Sequence, residues 1–230
     1  MQTGRARFSR QQHRGRGPAG GDPTPADKSI FIYGSPYHLL IDPLLAPVRR
    51  VAVDLVPEGS SVIDIGCGTG RLCFELHEKK HCRVVGVDLS LRMLEFARAA
   101  NTCADVSFVH TDATDLAGVD DGAFDWATVV LLVHELPLEQ RIRVLREAAR
   151  VARSVLIIDA AAPLPYGPMG LGMRLTEYTV GHDHVRHFRD FLARGGITGL
   201  LDSSGETAST GSRLFFERGC REAVVIRPER

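Results

Sequence analysis

The segment VIDIGCGTG, residues 62–70, joins a short β-branched apolar run to three glycines at alternate positions. A periodic apolar segment with Leu72, Phe74 and Leu76 follows at once. This order predicts a strand, a tight turn and a helix. Glycine permits positive φ and leaves no Cβ in a ligand's way, so Gly66, Gly68 and Gly70 predict a cofactor that lies on bare main chain.

The spacing of these glycines disfavours two common phosphate-binding loops. A dinucleotide fingerprint requires glycine or alanine at its sixth position, but the sixth residue counted from Gly66 is Arg71, and from Gly68 it is Cys73. A P-loop would need a following Gly-Lys-Ser/Thr, which is missing. Asp64 before the turn would repel a pyrophosphate but suits an ammonium group, while the helix N-terminus suits a carboxylate. A ligand with an amino-acid moiety fits both the carboxylate and the helix N-terminus. An NAD-dependent oxidoreductase is the less favoured alternative.

This segment resembles motif I of the class I S-adenosylmethionine-dependent methyltransferases, and the similarity extends over residues 33–158. The resemblance implies S-adenosyl-L-methionine as the cofactor. It also implies that Asp88, at the end of an apolar run, holds both ribose hydroxyls. The cofactor-binding residues predicted in this way are Asp64, Gly66, Gly68, Gly70, Asp88, Leu89, Met93, Asp112, Ala113 and Val130.

Strand and helix patterns alternate along the chain. Strands are predicted at 61–65, 83–87, 106–109, 124–131 and 154–159, and helices at 70–80, 91–100, 137–151 and 183–194. Such alternation predicts a parallel sheet covered on both faces, with ligands at the carboxyl ends of the strands. By resemblance, the fold class is α/β: a Rossmann-like, seven-stranded, mostly parallel sheet with helices on both faces and an antiparallel C-terminal edge hairpin.

The remaining segments give weaker patterns. Asp42 followed by proline predicts a helix that begins there and runs to residue 55. A loop of about twenty residues is expected after Asp159, where proline and glycine are frequent. Strands are predicted at 197–201 and 223–226, and 203–212 is expected to be polar turn.

Composition restricts the domain organisation and the partners. The chain has 230 residues, a net charge of +0 and 44% hydrophobic residues, which suffices for one core and gives no electrostatic reason to expect a nucleic-acid or membrane partner. Residues 1–28 are rich in Gly, Pro and Arg and are predicted to be a disordered tail, and 29–230 to be the methyltransferase domain. Without a membrane-length apolar run or a secretory signal, a cytoplasmic location is expected.

His134 follows the fourth predicted strand and is the candidate catalytic residue. A histidine near the transferred methyl group can act as the general base for a hydroxyl nucleophile or can orient that nucleophile. Alternatively, His134 and Glu135 satisfy the amides at the start of the next helix and pack below the substrate loop.

Aromatic and imidazole side chains outside the motifs are candidates for substrate contact. Tyr33 and Tyr37 would line the substrate entrance or simply pack on the domain. Tyr178, His182 and His184 would contact the substrate, or the histidines would begin a surface helix. The spacing of the histidines from 182 to 187 follows no structural zinc pattern, and the five cysteines include no C-x-x-C pair, so no metal site is predicted.

The resemblance implies methyl transfer by in-line displacement to a small, partly hydrophobic acceptor through an O, N or C nucleophile. Residues 130–133 are Val-Leu-Leu-Val, where enzymes that methylate the amino groups of DNA bases carry an Asn/Asp-Pro-Pro-Tyr/Phe motif. This difference disfavours nucleic-acid bases as substrates. The alternative is a protein that binds S-adenosylmethionine without catalytic activity.

Overall fold

A computed structural model of the chain describes residues 42–178, 181–205 and 208–229. Within these ranges, the strands are β1 Ser61–Ile65, β2 Arg83–Asp88, β3 Val106–His110, β4 Phe124–Val130, β5 Ala152–Ala160, β6 Ala208–Phe216 and β7 Arg221–Pro228. The helices are α1 Ala46–Leu55, α2 Arg71–Lys80, α3 Leu91–Ala100, α4 Leu138–Val151, α5 Pro168–Tyr178, α6 His182–Ala193 and α7 Gly196–Ser204. The predicted tail 1–28, Tyr33 and Tyr37 lie outside the described residues.

The strands form one sheet in the order β3-β2-β1-β4-β5-β7-β6. The first five strands are parallel, while β7 runs antiparallel to both of its neighbours, β5 and β6. The fold class predicted from the sequence, including the C-terminal hairpin, is therefore confirmed.

Two hydrophobic cores lie on opposite faces of the sheet, as the alternation of side chains along β1 illustrates. Val62 packs with residues of α1, α2 and α3. Ile63 and Ile65 pack with residues of α4, α6 and α7 on the other face. Burial on both faces explains why β1 is an almost continuous apolar run rather than an alternating one.

Two strand and loop predictions near the C-terminus were wrong. The residues predicted to be a strand at 197–201 belong to α7, in which Ile197, Leu200 and Ser204 are buried at helical spacing. The expected polar turn at 203–212 contains the start of β6. This strand pairs only with β7 among the described strands and its residues 209–215 are exposed, so its sequence lacks apolar alternation.

One loop prediction and one helix prediction were also wrong in part. The loop of about twenty residues after Asp159 contains α5, in which a Cβ at Gly170 would clash with the carbonyl oxygen of Pro165. The helix predicted from Asp42 begins later, because Asp42–Leu45 forms a 3-10 turn and α1 starts at Ala46. This start places Pro47 in the first helical turn, where its missing N–H costs nothing.

No helix in the described ranges combines the length and the apolar character that crossing a bilayer would require.

Candidate active site

The glycine turn, residues 66–70, connects β1 to α2 at the carboxyl edge of the sheet. Gly66, Gly68 and Gly70 have φ of 77°, 53° and 74°. A Cβ at Gly66 would lie 2.9 Å from the side chain of Leu132, and one at Gly70 would clash with the ring of Phe108. A Cβ at Gly68 would meet nothing within 4 Å. The outer glycines are thus required by packing, whereas Gly68 faces open space that a ligand could occupy.

Asp88 ends β2 and supports the glycine turn. Its Oδ2 accepts a hydrogen bond from the Gly68 amide at 2.8 Å, and its Oδ1 accepts one from the Ser90 amide at 2.8 Å. Burial raises the pKa of Asp88 above its ordinary value, although these two amides act in the opposite direction. Each carboxylate oxygen can accept a second hydrogen bond, so Asp88 can hold the turn and still accept from the two hydroxyls of a ribose.

Apolar side chains lie beside this carboxylate. Leu89 is 51% exposed, an unusual exposure for leucine. Met93 is half-buried in the first turn of α3, where its amide donates to the Ser90 hydroxyl. An apolar rim next to a hydrogen-bonding carboxylate suits an adenosine moiety, whose base is apolar on its faces and whose ribose is polar.

The other predicted cofactor residues lie at the carboxyl ends of β3 and β4. Asp112 is exposed, and its Oδ1 accepts from the amide and the hydroxyl of Thr114 at 2.8 Å each. Ala113 packs against the core, and Val130 ends β4 in register with Ile158 of β5. The predicted contact of Asp112 and Ala113 with the cofactor stays a prediction.

Asp64 lies below the glycine turn. Its carboxylate is buried, and accepts hydrogen bonds from the Thr128 hydroxyl at 2.7 Å and from the Cys73 thiol at 3.3 Å. Burial raises its pKa to about 6. These neutral partners were not predicted from the sequence, and the expected contact of Asp64 with an ammonium group stays a prediction.

On the other side of the site, His134 lies in the histidine turn, residues Val133–Glu135, a 3-10 turn after β4. The imidazole Nδ1 is 2.7 Å from Oδ1 of Asp159, near the end of β5. The amide of Ala160 donates to the same oxygen at 2.6 Å, and the amide of His134 donates to the second oxygen at 3.3 Å. Both side chains are buried, so the carboxylate lies in close contact with the imidazole away from solvent.

The protonation of Asp159 is set by two opposing effects. Burial acts to raise its pKa, but the charge and the hydrogen bond of His134, together with the Ala160 amide and the charge of Arg221, outweigh burial and leave the pKa below its ordinary value. Asp159 is therefore ionised at neutral pH. We did not identify Asp159 as a site residue from the sequence, although one carboxylate within a buried apolar strand is a signal that could have revealed it.

Helix α6 covers the histidine turn. The rings of His184 and Phe188 lie edge-on to the ring of His134, with centroids at 5.4 Å and 5.7 Å. On the same helix, Nδ1 of His187 lies 2.8 Å from the carbonyl oxygen of Glu135. The structure thus brings His184 to His134 as part of a cover over the turn.

Arg141 on α4 anchors this cover. The guanidinium donates to the carbonyl oxygen of Val133 at 2.8 Å, to the carbonyl oxygen of His187 at 2.6 Å and to the carboxylate of Asp190 at 2.9 Å. It also lies over the ring of Phe191 at 5.4 Å. Arg141 is only 1% exposed, so one buried cation joins the histidine turn to α6. We did not identify it from the sequence.

Two further predicted substrate residues lie in the described ranges, each at the end of a helix. His182 is exposed at the start of α6, and Tyr178 is the last residue of α5. Of the predicted substrate residues within the described ranges, His184 is the one that contacts the histidine turn through a described ring contact.

Residues 62–154 match a family model described as a methyltransferase domain. The chain is 33% identical over 181 residues to the cypemycin N-terminal methyltransferase of a Streptomyces species, covering 74% of this chain and 73% of that protein. It is 36% identical over 192 residues to the methyltransferase GfsG of Streptomyces halstedii, covering 76% of this chain and 68% of that protein.

Other similarities are partial or concern the fold alone. The O-methyltransferase resE of Aspergillus sclerotiorum is 28% identical, with 61% of this chain and 64% of that protein covered. Matches to two further O-methyltransferases cover 51% and 45% of those proteins, so this chain spans about half to two thirds of the length of these relatives. The solved structure of the PH0226 protein from Pyrococcus horikoshii has a TM-score of 0.62 at 19% identity, covering 85% of this chain and 93% of that one.

Proposed function

This chain belongs to the class I S-adenosylmethionine-dependent methyltransferases, and we propose that it transfers the methyl group of S-adenosyl-L-methionine to a hydroxyl of a small, partly hydrophobic acceptor. The observation that carries the proposal is the buried His134–Asp159 pair, which lies at the same edge of the sheet as the glycine turn. The matched family model and the similar proteins are methyltransferases, which argues against the NAD-dependent alternative.

The residues of the glycine turn fit the cofactor. Gly68 offers open backbone at positive φ, and Asp88 presents carboxylate oxygens already oriented by two amides. We assign Asp88 to the ribose hydroxyls, and Leu89 and Met93 to the surroundings of the adenosine. Bound there, the cofactor supplies a sulfonium methyl group that is open to attack.

His134 is the proposed general base. The Nδ1 atom of His134 lies 2.7 Å from Asp159, and its Nε2 would take the proton of an acceptor hydroxyl as the methyl carbon passes from the sulfur of the cofactor to that oxygen. The ionised Asp159 stabilises the imidazolium that results. Phe188 and His184 beside the ring provide an apolar and aromatic wall, which suits a partly hydrophobic acceptor and excludes water.

A hydroxyl acceptor is supported by the O-methyltransferases among the relatives, and a small molecule rather than a nucleic acid by the net charge of +0. A cytoplasmic location is part of the proposal, supported by five cysteines that are all free thiols. Tyr178 and His182 are proposed to meet the acceptor from the segment that precedes and begins α6.

The test has two steps. Thermal shift with S-adenosylmethionine, S-adenosylhomocysteine and NAD should show stabilisation by the first two, by about 2.7 kcal/mol at roughly 100 times the dissociation constant. A screen of phenols, quinols, alcohols and amines with labelled methyl groups then identifies the acceptor. Stabilisation by NAD alone would overturn the assignment, and cofactor binding without label transfer to any pool would favour a binding protein without activity.

With an acceptor identified, His134→Ala should lower turnover by about 10² to 10⁴ and leave cofactor affinity unchanged. His81→Ala is the matched control, because His81 is exposed at the end of α2 and should not affect turnover. Asp159→Asn should shift the acid limb of the pH-rate profile to lower pH, because removal of the negative charge destabilises the imidazolium. A loss of tenfold or less in His134→Ala would show that this side chain only packs.

A further inference from the structure

Three side chains that commonly bind metals converge beside the histidine turn from two separate parts of the chain. His134 and Glu135 lie in the turn itself, and His184 reaches them from α6. One ligand atom of each lies within 4.8 Å of the others. We propose that these three residues form a binding site for a divalent transition-metal cation of the Zn²⁺ type.

The contact of His134 with Asp159 supports this assignment independently of the cluster. In metal sites, a ligating histidine usually donates its second ring nitrogen to a carboxylate or carbonyl, which fixes the tautomer and increases the basicity of the ligating nitrogen. Asp159 lies 2.7 Å from Nδ1 of His134 and is buried. Asp159 thus lies beside His134 as an outer-shell carboxylate lies beside a ligating histidine, and it is not one of the three proposed ligands.

The donor set determines the class of cation. Two imidazoles and one carboxylate favour Zn²⁺, Co²⁺ or Fe²⁺, whereas Mg²⁺ and Ca²⁺ prefer oxygen ligands alone. Bonds of about 2.0–2.2 Å to a tetrahedral ion place its ligand atoms about 3.5 Å apart. In this structure, the ligand atoms lie within 4.8 Å of one another. His184 and Glu135 are both half-buried, so rotation of their side chains can bring these atoms to the separation of about 3.5 Å that the ion requires. A fourth position would remain for water.

The proposed site shares His134 with the proposed function, and one consequence rests on that function. An imidazole nitrogen that binds a cation cannot also take a proton from the acceptor. Cation binding should therefore inhibit methyl transfer, and a chelator should restore it. Binding itself needs neither cofactor nor acceptor, so it can be measured independently of the methyltransferase activity.

The test uses the full chain without cofactor or acceptor. One titration adds Co²⁺ and records the visible absorption, and a second adds Zn²⁺ and records the heat of binding by calorimetry. We expect one cation per chain, and a loss of affinity of about tenfold or more in His184→Ala and in Glu135→Gln. Asp159→Asn should weaken binding by about 10- to 100-fold through its effect on His134. His81→Ala is the control, because His81 is an exposed histidine at the end of α2, and this variant should bind the cation as the wild type does.

Three results would overturn the proposal. The first is no saturable binding of either cation. The second is binding that is unchanged in both His184→Ala and Glu135→Gln, with thermal unfolding of these variants confirming that they are folded. The third is a cobalt spectrum with thiolate charge-transfer absorption, which would place the cation on cysteines such as Cys67 and Cys73.

Discussion

Two aspartates lie buried at the same edge of the sheet, and their surroundings differ. Asp64 belongs to the glycine half of the site, defined as Asp64, the glycine turn and Asp88. It contacts a neutral hydroxyl and a neutral thiol, and burial raises its pKa to about 6. Asp159 belongs to the histidine half, defined as the histidine turn, Asp159 and α6. It is equally buried, yet His134 holds its pKa below the ordinary value.

The difference shows that the two halves are stabilised in different ways. The glycine half is held by packing and by uncharged donors, such as the Gly68 amide on Asp88 and the Thr128 hydroxyl on Asp64. The histidine half is held by ionic groups from distant segments, such as His134 with Asp159 and Arg141 with Asp190. Loss of a buried cation should therefore disrupt the histidine half, while changes of backbone geometry or of carboxylate protonation should affect the glycine half.

The largest effect is expected from Arg141→Met. The substitution removes the cation that joins the histidine turn to α6 and leaves two buried carbonyl oxygens without their donor. We expect a loss of about 3 to 5 kcal/mol in the free energy of unfolding, measured by urea denaturation. Arg143→Met, an exposed position on the same helix, is the control and should change stability by about 0.5 kcal/mol or less. Equal stabilities of the two variants would contradict the anchoring role of Arg141.

Asp64→Asn tests the buried carboxylate of the glycine half. Because the folded-state pKa of Asp64 is raised from 3.8 to about 6, the folded chain binds more protons than the unfolded chain between these values. Stability therefore falls as pH rises through this window, by about 3 kcal/mol for this group. The variant should lack this contribution and be as stable as the wild type, or more stable, at pH 7. Denaturation curves at pH 4, 5, 6 and 7 compare the free energy of unfolding of the wild type and the variant. The same change of stability with pH in both proteins would contradict the raised pKa of Asp64.

Asp88→Ala tests the contact proposed for the ribose. Loss of hydrogen bonds to a charged group should weaken S-adenosylmethionine binding by about 1.5 to 3 kcal/mol, measured by calorimetry. The domain should remain folded, although the amides of Gly68 and Ser90 lose their acceptor. Asp105→Ala, exposed just before β3 at the opposite edge of the sheet, should bind the cofactor normally. Unchanged affinity in Asp88→Ala would move the ribose site elsewhere.

The smallest effect on stability, and the sharpest comparison, comes from Gly68→Ala and Gly59→Ala. Both glycines have positive φ, and a Cβ at either would meet nothing within 4 Å. Each substitution should cost about 1 kcal/mol of stability through backbone strain. Only Gly68→Ala should also weaken cofactor binding, because its methyl group would occupy the space proposed for the ligand. Similar cofactor affinity in both variants would show that the cofactor does not approach Gly68.

Much of the glycine half could be predicted because its features are local. Positive φ at Gly66, Gly68 and Gly70 follows from residue type and spacing, and the strand that ends at Asp88 is recognisable by its apolar run. The helix at 91–100 was predicted with the bounds that the structure gives, since a serine caps it and apolar residues recur along one side. Local patterns failed at 197–201, where a short apolar run is compatible with a strand or a helix until its burial is known.

The sequence by itself thus determined the order of the elements, the glycine turn and the carboxylate at the end of β2, because each depends on the conformational preferences of neighbouring residues. Only the tertiary structure decided that Asp159 meets His134, that Arg141 binds the carbonyl oxygen of His187, 46 residues further along the chain, and that His184 reaches Glu135. These contacts depend on which segments the sheet and α4 bring together. Side-chain type and spacing along the chain carry no direct information about partners that are distant in sequence, so the chemistry of the histidine half could be recognised only in the folded molecule.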